Sequence, residues 1–595
     1  MKSAPNRPKT EEKYKLTDKS LKSHYMKRLL KLSLQCKKYF FAAILCVLLV
    51  NIVQLVKPYV LKIVIDDFLI AGKPQTGLYS ITGLGIIYFV ISLMSSFFSY
   101  TQVNLINKAG QTIIMGVRSR VFKAIQLLPL SFLDKTSSGR LITRATNDVG
   151  ELNELYTDII INLIKDFVLL IGIVSAMFIM DVQLTLISFL VIPVMAFIVV
   201  FLKNKIKANF YNMKHFIGRI NGFMAENISG MKTVQIFRGE KEKEKEFTKL
   251  NDDYMKTTLI QIRLHSLLKP ASELFQNLAV AILIWYGMNK IAGHSLQIGV
   301  LFAFTTYIKQ FFNPISDLAE KYTSIQSSLV SADRIFELLD QVEIFEDLDK
   351  GEGFDRIKGD IEFQNVWFAY NENNWVLRDV SFRIPAGSTA AFVGETGAGK
   401  TTIISLVNGF YKVSKGRILI DGKDINTLKL RDLRRNIAVV LQDVFLFSGT
   451  IRSNITLNNN IDDTKIRESL NLSCADTFVD ELPGGLDEPV MERGNTFSSG
   501  QRQLLAFARA LAQDPSVIVL DEATANIDTH TEKLIQKAIE NSSKGKTTLV
   551  IAHRLSTIRN SDAIFVMKDG EVAESGKHAE LAAAGGYYSE ILNNN

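Results

Sequence analysis

Cysteine is scarce. Cys36, Cys46 and Cys474 are the only three in 595 residues, too few and too scattered for a disulfide framework or a zinc site. That is consistent with a reducing cytosolic face. No secretory leader is expected either, because the first apolar run begins near Tyr39 and continues too far without a small-residue cleavage pattern. Charge is missing from long stretches: residues 39–56, 74–107, 182–202 and 291–308 contain no Asp, Glu, Lys or Arg. Two shorter charge-free stretches, 167–180 and 274–289, extend backwards through apolar positions past Lys165, Asp166 and Glu273. Internal repeats are absent, so any motif occurs once.

What is present divides the chain in two. At 595 residues the length exceeds one small domain. A composition of 47% hydrophobic, 22% charged and 10% aromatic residues excludes a wholly disordered or collagenous chain. The charge-poor stretches lie before about residue 325, and the remainder has the pattern of a soluble α/β protein. A helix needs about 20 mainly apolar residues to cross the hydrocarbon. Six spans are therefore expected, near 39–69, 76–107, 155–180, 183–203, 270–290 and 296–320. Pro58 and Pro193 fall within them, which membrane helices tolerate. The connections 108–150 and 204–265 are long and basic, whereas those near 70–75, 181–182 and 290–296 are short. Basic loops stay inside, so both termini are expected in the cytoplasm of a bacterial cell with a multi-pass chain in its cytoplasmic membrane.

The net charge is +8, and residues 1–38 hold twelve Lys or Arg against three acids. Basic residues beside a first apolar segment are read as flanks attracted to anionic lipid rather than as a nucleic-acid arm. Leu21, Met26, Leu29, Leu30, Leu32 and Leu34 among those charges suit an interfacial helix. The expected organisation is a cytoplasmic N-terminal segment (1–38), an α-helical transmembrane domain (39–325), a linker (326–360) and an α/β P-loop ATPase domain with a helical subdomain (361–595).

The chemistry lies in the last part. The apolar run Thr389–Val393 reads as a buried strand and leads into Gly394, Glu395, Thr396, Gly397, Ala398, Gly399, Lys400 and Thr401, followed by Thr402. This is G-x-x-x-x-G-K-[ST]. Its glycines let backbone N–H groups converge on phosphate oxygens at a helix start, Lys400 supplies charge to the β- and γ-phosphates, and the Thr401 hydroxyl is placed for Mg²⁺. A second strand, Val517–Leu520, ends in Asp521 and Glu522. At the carboxyl edge of a parallel sheet, Asp521 can hold Mg²⁺ through water and Glu522 can polarise a hydrolytic water. A third strand, Thr548–Ile551, leads to His553, directed by the same geometry towards the γ-phosphate. Phe497, Ser498, Ser499, Gly500 and Gln501 precede an apolar helical run and offer a second anion site at a helix start.

With these motifs in this order, the second half resembles the ATPase domain of the ATP-binding cassette (ABC) transporters, and the whole chain resembles an exporter half-transporter. The resemblance implies that Tyr370 stacks on adenine, that Gln442 ligates Mg²⁺ and senses the transmembrane half, and that Asp528 lies at a dimer seam. It implies two coupling helices, Phe132–Arg140 and Ser229–Phe237. It also implies a dimer that sandwiches two ATP molecules, each between one chain's phosphate loop and the other's signature, so a second half-transporter chain is required. The signature departs from the family's Leu-Ser-Gly-Gly-Gln: Ser499 stands at the first glycine, where a Cβ restricts φ and crowds a backbone that must approach phosphate. Phe497 for Leu is mild, and Ala525 replaces a common serine. Ser499 beside an intact Lys400, Gln442, Asp521, Glu522 and His553 resembles one chain of the heterodimeric bacterial multidrug exporters.

The expected function is ATP-driven export of amphipathic small molecules, cationic ones among them, with lipid or peptide export, by a heterodimer or a homodimer, as the alternative. A soluble-type ABC ATPase and an ATP-gated channel are the competing classes. Asp166, Glu273 and Lys309 lie roughly 20–25 Å below the outer surface at about 1.5 Å per residue. Intramembrane charges face a bundle interior or a wet cavity, which makes these three candidates for a transport cavity. Lys309 pairing with Asp166 is the structural alternative.

Overall fold

The computed structural model describes residues 27–29, 31–74, 77–293, 295–346, 351–371, 374–521, 529–551 and 558–594. The chain divides into two compact units, Met1–Gln126 with Ser138–Leu339 and Leu127–Ser137 with Asp340–Asn595.

The first unit is helical. Among the described residues, five stretches are long and apolar enough to cross a membrane: Lys27–Ile70, Ile81–Leu127, Ser138–Met180, Val182–Ser229 and Glu240–Ala292. The sixth expected span lies within the 49-residue helix Ile298–Glu346, and several of its side chains fall outside the described residues. Sequence reasoning located the apolar centres but not the helix lengths. Ile81–Leu127 has 47 residues and Glu240–Ala292 has 53, about 70 and 80 Å at 1.5 Å per residue. Both far exceed a hydrocarbon layer of about 30 Å. A charged, non-apolar sequence such as Glu240–Glu246 continues the helix because Glu and Lys are good helix formers.

Helical structure also runs through Glu346 into the stretch expected as a linker. Pro193 does not kink a continuous span. It sits in the first turn of Ile192–Ser229, after a break from Val182–Phe189, where its missing N–H costs no hydrogen bond. Of the expected interfacial helix, 27–29 and 31–33 are helical and Leu34–Cys36 is a 3-10 turn; its earlier residues lie outside the described ones.

Burial in this unit suits an apolar solvent. Ile173, Met177, Leu184, Leu283 and Phe304 form a solvent-free core, while Phe41, Phe97, Phe197 and Trp285 stand exposed. Such large outward apolar side chains favour lipid over water. At one helix junction the Asp181 carboxylate accepts from Leu184 N at 2.9 Å and from Lys290 Nζ at 2.9 Å, capping a helix start and closing an ion pair at once.

The second unit is built on strands numbered in chain order: β1 Ile361–Ala369, β2 Trp375–Ile384, β3 Thr389–Gly394, β4 Lys415–Ile420, β5 Lys423–Asp424, β6 Ile437–Val440, β7 Gly449–Thr450, β8 Pro489–Val490, β9 Val517–Asp521, β10 Thr547–Ile551, β11 Ala563–Lys568 and β12 Glu571–Gly576. One sheet has the order β2-β1-β4-β5, the larger one β12-β11-β3-β10-β9-β6, and β7 pairs with β8. From β11 to β6 the larger sheet is parallel. Its central strands are buried on both faces, which accounts for their unbroken apolar sequences. One core joins the sheet to the antiparallel strands through Phe363, Phe382, Phe392 and Phe565; the other joins it to the helices around Leu504, Phe507 and Ile535.

Candidate nucleotide site

Parallel register decides what meets at the sheet's carboxyl edge. Ile551 lies level with Asp521 on one side and with Phe392 on the other, and Val440 lies level with Leu520. The chain therefore leaves β3 into Gly394–Lys400, β6 towards Gln442, β9 at Asp521 and β10 towards His553 along one edge. Glu522, Asp528 and His553 themselves lie outside the described residues.

The loop after β3 is shaped for close approach. Gly394 and Gly399 have φ of 149° and 101°. A Cβ on Gly399 would meet Leu377 Cδ2 at 2.6 Å, and one on Gly394 would run into the Met567 carbonyl. Only glycine fits both the dihedral and the space. The helix Lys400–Val407 starts directly after this turn. The Lys400 ammonium is buried and donates to the carbonyls of Gly394 at 2.6 Å and Glu395 at 2.9 Å, which holds one positive charge inside the loop. Ala398 is buried, whereas Glu395, Thr396, Gly397 and Thr401 are exposed along the rim. Thr402 is buried, and its hydroxyl lies 3.2 Å from that of Tyr370. A narrow cradle with convergent amides and one cation accommodates a polyphosphate.

Thr401, Gln442 and Asp521 supply a hydroxyl, an amide and a carboxylate at this edge. All are hard oxygen donors. No group of three or more His, Cys, Asp or Glu side chains that could hold a metal ion by themselves occurs among the described residues. That donor set fits Mg²⁺, which draws its remaining ligands from water and phosphate.

The second expected anion site opens the helix Ser499–Leu511. Ser498 caps it: Ser498 Oγ accepts from Gln501 N at 3.2 Å, and Gln501 Oε1 accepts from Ser498 N at 2.9 Å. Gly500 is buried, while Ser498 and Ser499 are exposed. Ser499 is not among the residues with positive φ. As the helix's first residue it has ordinary right-handed geometry, so the restriction that a Cβ places on φ is met without strain. Arg509, on the same helix, donates to Asn454 O at 2.8 Å, Phe445 O at 3.0 Å and Asn454 Oδ1 at 3.1 Å. Burial lowers its pKa from the ordinary arginine value. The signature helix is thus tied to the segment just after Gln442.

Sequence reasoning missed the surroundings of Tyr370. Its ring meets Tyr411 edge to face at 5.0 Å and Phe368 at 4.8 Å, and the Tyr411 hydroxyl donates to the Asp134 carboxylate. Lys135 Nζ reaches the Tyr370 carbonyl at 3.4 Å. Burial, and then the bond to Asp134, push the Tyr411 phenol's pKa up, so it keeps its proton and serves as the hydrogen-bond donor to that carboxylate. No motif marks Tyr411. The expected coupling segments are also distributed differently: Leu127–Ser137 belongs to the second unit, whereas Ser138–Arg140 and the short helix Met231–Ile236 belong to the first.

In the first unit, Asp166 borders a cavity of about 430 Å³ with Leu163, Phe167, Leu170, Pro314 and Ile315. Lys321, not Lys309, faces it, with Nζ 4.0 Å from Asp166 Oδ2. Lys309 and Glu273 are exposed and do not line this cavity. The helix Ile298–Glu346 brings Lys321, twelve residues beyond Lys309, to the helix that carries Asp166.

A helical membrane unit and a phosphate-loop sheet in one chain define the class: an ATP-driven membrane transporter of the cassette type. Residues 40–315 match the ABC transporter transmembrane region and residues 377–525 the ABC transporter ATPase family, and the chain belongs to the ABC transporter family. It is 39% identical over 511 residues to a probable multidrug resistance ABC transporter ATP-binding/permease protein of Bacillus subtilis, covering 85% of this chain and 75% of that one. It is 34% identical over 566 residues to an ATP-dependent lipid A-core flippase of Syntrophus aciditrophicus, covering 95% and 93%. The structure of a bacterial Atm1-family ABC exporter with ATP bound superimposes with a TM-score of 0.82 at 26% identity, over 94% of this chain and 98% of that one. The protein is an exporter half-transporter that dimerises, binds ATP and couples its hydrolysis to transport.

Proposed function

We propose that this half-transporter exports amphipathic small molecules, cations among them, from the cytoplasm as one chain of a heterodimer. The observation that carries the substrate class is the Asp166 cavity: apolar walls with a single carboxylate, which a cationic group would share with Lys321 at 4.0 Å, suit a molecule that is apolar over most of its surface and positive at one point. Similarity to a multidrug resistance protein supports it. In the proposed cycle, the phosphate loop and Lys400 hold the triphosphate, Thr401, Gln442 and Asp521 hold Mg²⁺, and Tyr370 stacks on adenine. Glu522 orients the attacking water and His553 contacts the γ-phosphate. Ser498, Ser499, Gly500 and Gln501 face the partner's ATP, and Asp528 lines the seam between the chains.

The test is uptake of a cationic dye into inverted proteoliposomes. ATP-dependent accumulation that falls in Asp166→Asn, with normal folding, supports the cavity; unchanged transport in Asp166→Asn sinks it. Lipid export is the second reading, favoured by the likeness to a lipid A-core flippase across nearly the whole chain. Movement of a fluorescent phospholipid in place of the dye would select it.

A further inference from the structure

Leu127–Ser137 overlaps the first expected coupling segment. Gln126 and Ser138 on either side belong to the first unit, yet the segment itself belongs to the second. It is therefore a covalent piece of the helical unit's chain lodged in the ATPase unit. Pro129 starts the short helix Leu130–Leu133, and the next two residues make the polar contacts. Asp134 accepts from Tyr411, and Lys135 donates to the Tyr370 carbonyl. Tyr411 in turn stands edge-on to Tyr370 at an interplanar angle of 90° and also packs on Phe368 at 5.6 Å. The far end of Tyr370 reaches Thr402, two residues beyond the phosphate-loop lysine. A continuous series thus runs from Asp134 through Tyr411 and Tyr370 to Thr402.

An aromatic ring at a nucleotide site gains affinity only when its plane is held ready for the base. Tyr370 is 36% exposed, so one face is open and its orientation depends on what braces the other side. We propose that Tyr411, oriented by Asp134, is the positioning residue that holds Tyr370 for the base. The reading of Tyr370 as the adenine-stacking residue underlies this.

The experiment compares steady-state ATP hydrolysis by the full-length chain in its purified assembly, with Tyr370→Ala, Tyr411→Phe, Asp134→Ala, Asp134→Asn and the double variant Tyr411→Phe/Asp134→Ala. Tyr411→Phe keeps the ring and removes only the donor. It and Asp134→Ala should each raise KM for ATP about three- to tenfold, the range of one hydrogen bond, with kcat within about twofold. The double variant should do no worse than either single one, and Asp134→Asn, which retains an acceptor oxygen, should restore most of the affinity. Additive losses, an unchanged KM, or a loss confined to kcat overturns the proposal. Tyr370→Ala separates the two readings: if it leaves KM unchanged, adenine stacking fails first; if it raises KM while the Tyr411 and Asp134 variants do not, only the positioning role fails.

Discussion

Gly399 and Lys400 show how a phosphate loop is specified one residue at a time. The left-handed turn at Gly399, tight against Leu377, aims the first turn of the helix at the same space that the Lys400 ammonium occupies. Two substitutions should fail differently. Gly399→Ala meets both a forbidden dihedral and a clash, so it should lower the ATPase unit's thermal midpoint as well as its nucleotide affinity. Lys400→Ala keeps the fold and removes the charge, so its unfolding curve should match the parent while equilibrium nucleotide binding weakens. Glu522→Gln should preserve binding and slow hydrolysis by about 10² to 10⁴-fold, the usual cost of losing a general base. Near-normal turnover in that variant would take Glu522 out of the role.

Among the secondary-structure elements, the signature helix is fastened near both its ends. Its start is closed by the reciprocal Ser498–Gln501 cap, and Arg509 fastens it to Phe445 and Asn454 through three hydrogen bonds. Those acceptors flank the segment after Gln442, so the two parts should move together. Arg509→Met keeps much of the apolar stem but leaves these acceptors unpaired. It should destabilise the ATPase unit by about 2–4 kcal/mol in denaturant unfolding. An unchanged midpoint would mean that water replaces the guanidinium at no cost.

For the whole molecule, the decisive question is how two chains share two ATP sites. In the proposed head-to-tail sandwich Ser499 would face the partner's nucleotide, while Lys400, Asp521 and Glu522 would serve the site completed by the partner's signature. The expected outcome is asymmetry: Glu522→Gln abolishes hydrolysis in the assembly, whereas removing the partner's equivalent carboxylate changes it little. Because Ser499 has unstrained helical geometry, Ser499→Gly should leave folding untouched and act only on the partner's site, raising its hydrolysis. Equal losses from both sides, or a chain that turns over and transports as a homodimer, would make Ser499 a tolerated variation.

The sequence by itself determined the two halves, the apolar centres of the spans, the phosphate loop after β3, the signature helix start and Asp521 at a strand end. Each is written in a local pattern: a charge-free stretch, a spacing of glycines, or a buried strand followed by an acid. The helix lengths were not legible, because charged helix extensions carry no apolar period and continue by propensity alone. Nor was the partner of Asp166, since Lys309 and Lys321 are both plausible along the chain and only packing selects Lys321. The contact of Tyr411 with Asp134 spans 277 positions. Asp134 falls in an expected coupling segment, but no motif marks Tyr411, and it took the folded chain to bring that segment against the ring beside the nucleotide cradle.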